Sequence, residues 1–104
     1  MKKSGSAREE FQGMVDMRGK LLRTLSEEEL LAAGDVEEIV IQKRRGTICN
    51  IVERTNDGSL RVVIQGFLSG RILSSIKTVA LDGFYLRPNG EIEPMADEEF
   101  YGYD

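Results

Sequence analysis

Between residues 6 and 34 the apolar positions recur at helical intervals, and after residue 36 they gather in short β-branched runs. Phe11, Met14, Val15, Leu21, Leu22 and Leu25 follow the spacing of one helix face, with Arg18 where a further apolar residue would complete the stripe. Ser6 and Glu9 have capping-box spacing, which satisfies two orphan amide donors at a helix start. Gly13 and Gly19 each cost about 1 kcal/mol against alanine inside a helix. The helix therefore needs tertiary packing, or it breaks near Gly19. Ser26 and Glu29 repeat the capping box and open a short helix ending at Gly34, with Leu30 and Leu31 docking it.

From Val36 onward, Ile39–Ile41, Ile48–Val52, Leu60–Ile64 and Thr78–Leu81 read as strands separated by Gly, Asn and Asp. Thr55-Asn56-Asp57-Gly58-Ser59 suits a three-residue hairpin loop with Gly58 in the left-handed region. That register sets Glu53 opposite Arg61 and Val52 opposite Val62. A two-residue turn would instead oppose Arg54 and Arg61, and like charges there destabilise. Arg87-Pro88-Asn89-Gly90-Glu91 repeats the same turn chemistry and sets Leu86 opposite Ile92. Gly66 and Gly70 suggest a sharp bend or bulge where a strand changes sheet. Ser74–Ile76 fits a strand or one helical turn.

These elements predict an α+β fold: one N-terminal helix, or two, followed by five or six strands in a strongly bent antiparallel sheet or small barrel. By element order only, this resembles SH3-, Sm- and OB-like barrels. The expected organisation is a single domain over 1–104, with a helical part at 6–34, a β-rich core at 36–94 and an acidic-aromatic tail at 95–104. At 104 residues folding buries roughly two-thirds of the unfolded surface, enough for a core without staples.

Composition narrows the chemistry. His and Trp are absent and Cys49 is the single cysteine, which removes Cys/His zinc sites, histidine bases and intramolecular disulfides. The start lacks the apolar run of a signal peptide, and no stretch reaches the roughly 18 apolar residues of a membrane span. With one free cysteine, the expected location is cytoplasmic, without membrane association. The net charge is −4, unevenly spread. Residues 36–87 carry eight basic and five acidic side chains, whereas 88–104 carry six acidic and none basic.

Enzyme motifs are weak. Ser74-Ser75-Ile76-Lys77 matches Ser-x-x-Lys, but the companion motifs of that chemistry are missing. There is no phosphate-binding glycine loop, and Cys49 lies in an apolar run that predicts a buried, inert thiol. The expectation is a non-enzyme with no cofactor and no metal. Two surfaces remain. Lys43, Arg44 and Arg45, with Arg71, form a candidate single-stranded RNA site, although Phe67, Phe84 and Tyr85 do not interleave with the basic triplet. The tail residues Met95, Asp97, Glu98, Glu99, Phe100, Tyr101 and Tyr103 combine acidic and aromatic side chains. Aromatics dominate interface hot spots and acids speed encounter with a basic partner. The same tail could instead close its own core, or cover the basic patch. The leading expectation is a protein-binding adaptor, regulator or inhibitor, with nucleic-acid binding as the alternative. A homo-oligomer is compatible with the amphipathic helix and open sheet edges.

Overall fold

A computed structural model describes residues 6–34, 36–70, 77–96 and Glu99. Helix α1 spans Ala7–Leu22 and α2 spans Glu27–Ala32. Five strands follow: β1 Val36–Ile41, β2 Arg44–Arg54, β3 Leu60–Ser69, β4 Lys77–Leu86 and β5 Ile92–Pro94. They form one antiparallel sheet in sequence order, β1-β2-β3-β4-β5. The α+β expectation holds. Of its two forms the structure adopts the sheet and not the barrel, because β1 and β5 stay at opposite edges. No helix among the described residues is long and apolar enough to cross a membrane.

Both caps form. Ser6 Oγ accepts the Glu9 N–H (3.2 Å), and Ser26 and Glu29 complete the reciprocal box at α2. Helix α1 does not break at Gly19. It lies across β3 and β4 on one face of the sheet, burying Ala7, Phe11, Val15, Gly19 and Leu22. The Asp82 carboxylate takes the space a side chain at Gly19 would need, since a Cβ there would lie 1.8 Å from Asp82 Oδ2. Asp82 in turn accepts Arg23 Nη1 at 2.9 Å, while Arg23 stacks on the Phe84 ring and donates to the Gly83 carbonyl. Leu21 and Leu31, expected to pack inward, are exposed, because the buried stripe runs through Leu22 and Leu30. Helix α2 ends at Ala32 with Ala33 as its cap, one residue before the glycine expected to end it.

The two glycine-closed hairpins have the expected registers. Glu53 faces Arg61, Val52 faces Val62 and Leu86 faces Ile92. Gly58 and Gly90 take φ of +87° and +90°, and both turns close with the same pair of backbone hydrogen bonds. Gly66 differs from expectation. Strand β3 runs straight through it, paired with Ile48 on one side and Ala80 on the other. The glycine is needed for close approach: a Cβ would lie 2.7 Å from the Phe11 ring and 3.0 Å from Val15 Cγ2. The segment Ser74–Ile76 lies outside the described residues.

Candidate interaction surface

Side chains alternate across a strand, and the register sorts the sheet into two faces. On β3, Leu60, Val62, Ile64 and Leu68 face the helices and are buried. Arg61, Val63, Gln65, Phe67 and Ser69 point to the other face, together with Arg45, Thr47, Cys49 and Ile51 of β2 and Val79, Leu81 and Tyr85 of β4. No described helix packs there. Most of these residues are half-buried, with Val63 fully buried. Cys49 is among the half-buried ones, a correction to the buried thiol its apolar run suggested, because it points away from the helices.

At the β4–β5 side the chain occupies this face itself. Met95 is buried, and Glu99 accepts a hydrogen bond from the Tyr85 hydroxyl while its other oxygen accepts the Ala96 N–H at 3.2 Å. That hydroxyl holds the Glu99 carboxyl below its ordinary range, and the same bond raises the Tyr85 phenol above its own. The Arg87 guanidinium stacks over the Tyr85 ring, 4.6 Å from its centre, and donates to Glu93 at 2.7 Å. It also reaches Asp57 (3.4 Å) and Ser59 Oγ (3.2 Å), joining the two glycine-closed turns. Asp57 is held down at about 2, chiefly by the Thr55 hydroxyl and then by the backbone N–H of Ser59.

At the β1 side the face is bare. Val36 and Val40 are 68% and 67% exposed. Beside them lies a groove of about 620 Å³ lined by Glu38, Val40, Arg45, Thr47, Phe67 and Ser69. Among the described residues β1 is an edge strand, paired only with β2. Its turn is Gln42-Lys43, both at positive φ (50° and 69°). Such a two-residue turn makes Ile41 and Arg44 a mutually hydrogen-bonded pair. The antiparallel ladder alternates from there, so the backbone N–H and C=O of Val40, Glu38 and Val36 point outward. None of the turn, cap or side-chain hydrogen bonds of the described residues is made to them.

The basic triplet is dispersed. Lys43 sits exposed in the turn. Arg44, on the helix face, donates to the Ser69 carbonyl at 2.7 Å and to Thr78 Oγ1 at 3.2 Å. Arg45 stands exposed on the bare face, where folding brings it into one groove with Phe67, 22 residues away by number. Arg71 lies outside the described residues, as do Asp97, Glu98, Phe100, Tyr101 and Tyr103 of the tail. Among the described residues no three His, Cys, Asp or Glu side chains converge as a metal-binding group. Val36, Glu38 and Val40 were not candidates from sequence. Their alternation was visible, but Gln42-Lys43 carries no turn signature to set its phase, and Gly46, in the stretch expected to separate the runs Ile39–Ile41 and Ile48–Val52, sits inside β2. The chain matches no protein-family model, no curated protein and no solved structure.

Proposed function

We propose that this protein is a non-catalytic interaction module that binds a partner protein on the bare side of its sheet, at β1 and the adjoining groove. The observation that carries this reading is the pair Val36 and Val40, two β-branched residues about two-thirds exposed on an edge strand. Edge strands with exposed apolar residues associate unless something covers them, so such an edge is a liability unless a partner uses it. Of the tail residues, Met95 is buried and Glu99 is held by Tyr85, so these two are taken up within the molecule.

The test is site-specific photo-crosslinking in cells that make the protein. A benzophenone amino acid replaces Val40 in one version and the exposed Glu28 of α2 in another. A defined protein adduct at position 40, absent at position 28, supports the proposal. RNA adducts at position 40 would favour nucleic-acid binding through Arg45 and Phe67 instead. Equal labelling at both positions, or none at position 40, overturns it.

A further inference from the structure

We infer that β1 is a strand-addition site whose partner is an extended segment with a lysine or arginine between two β-branched residues, spaced at alternate positions. This rests on the interaction-module reading and names the partner's chemistry. The edge offers the N–H and C=O of Val36, Glu38 and Val40 over six residues, about 20 Å of strand. An added strand takes its affinity from those main-chain groups and its specificity from the side chains alternating beside them.

On the bare face the sequence of neighbours met by an added strand is Val36, Glu38, Val40. Glu38 is exposed and has no ion-pair partner among the described residues, whereas Glu37, on the helix face, is paired with Arg18. An unpaired carboxylate between two exposed valines selects a cation flanked by apolar residues. The pattern reads the same in both directions, so it suits a parallel or an antiparallel partner.

A second copy is disfavoured by the same charges. Antiparallel self-pairing that matches Val36 with Val40 of the other copy sets the two Glu38 carboxylates directly opposite one another, and like charges there destabilise. Sliding one way on the same face sets Glu38 against Val36 and Glu37 against its own copy, and sliding the other way sets Glu38 against Val40. The carboxylates that select a basic partner therefore also keep the edge from pairing with itself.

The experiment titrates the full chain, labelled with nitrogen-15, with the capped peptide Thr-Val-Thr-Lys-Thr-Val-Thr and with its twin carrying Glu for Lys. The Lys peptide is expected to perturb the amides of Val36–Ile41 and to slow hydrogen exchange at Val36, Glu38 and Val40. The Glu peptide should bind about fivefold more weakly or worse, and Glu38→Lys should reverse the preference. Val40→Pro deletes an outward N–H that β2 does not use, so the fold survives while peptide binding is lost. Indifference to Glu38→Lys, or perturbations centred on β5 or the helices, overturns strand addition. So does full binding by folded Val40→Pro. A crosslinked partner at position 40 whose binding ignores Val40→Pro would retain the module reading and reject only strand addition.

Discussion

Replacing Gly66 by alanine tests the packing of α1 on the sheet. The new methyl would lie 2.7 Å from Phe11 Cζ and 3.0 Å from both Phe11 Cε2 and Val15 Cγ2. Carbon atoms pack at about 3.5–4.0 Å, so the ring edge must retreat by about 1 Å. Phe11 and Val15 are both 0% exposed, which leaves no solvent-side slack. Overpacking of this kind costs about 1–3 kcal/mol, and the lower backbone entropy of unfolded alanine offsets about 0.5–1 kcal/mol. The net expectation is a loss of about 1–2 kcal/mol. Because the chain has no Trp, urea melts followed by far-UV circular dichroism are the assay. Gly13→Ala is the internal control: its Cβ meets nothing within 4 Å, and the same change there should stabilise by about 1 kcal/mol. Phe11→Leu in the Gly66→Ala background should recover part of the loss, with a coupling of about 1 kcal/mol. A Gly66→Ala protein as stable as the parent, or one whose loss simply adds to that of Phe11→Leu, would refute the close approach.

Three further outcomes follow from local geometry. Gln42→Asn with Lys43→Gly relieves two left-handed non-glycine residues and should stabilise by about 1 kcal/mol or more in the same melts; no gain would deny the two-residue turn that orients β1. Asp57 is depressed from 3.8 to about 2, so its contribution is present above its unfolded value and is lost as pH falls from about 4 towards 2. Asp57→Asn should therefore flatten that part of the stability–pH curve, and an unchanged slope would contradict it. Glu99→Gln should lower the titration of one tyrosine towards the ordinary phenol range, because the Glu99 bond is the main cause of the Tyr85 shift. Ultraviolet titration of the phenolates reads this directly, and three unchanged tyrosines would remove the latch between Tyr85 and Glu99.

Much of the architecture was legible before folding. Helix starts at Ser6 and Ser26 follow from side-chain oxygens that cap their own backbone, and the turns at Gly58 and Gly90 follow from a positive φ that glycine accepts without strain. Once those turns were placed, opposed charges selected the register, and Glu53–Arg61 and Leu86–Ile92 came out paired. These are interactions among residues a few positions apart, which the order of residues determines by itself. What separates the surface from the core was decided by tertiary contact. Gly66 looked like a bend because only the approach of Phe11, 55 positions earlier by number, gives it a reason to sit in a straight strand. Gly19 looked like a break because Asp82, from β4, supplies what fills its place. The basic triplet looked like one patch because adjacency along the chain hides that successive strand residues leave by opposite faces, sending Arg44 to the Ser69 carbonyl and Arg45 into the groove that Phe67 also lines. The phase of Val36, Glu38 and Val40 likewise rested on Gln42 and Lys43 accepting left-handed backbone, a local strain that the antiparallel β1–β2 pairing sustains and residue preferences alone would not have chosen.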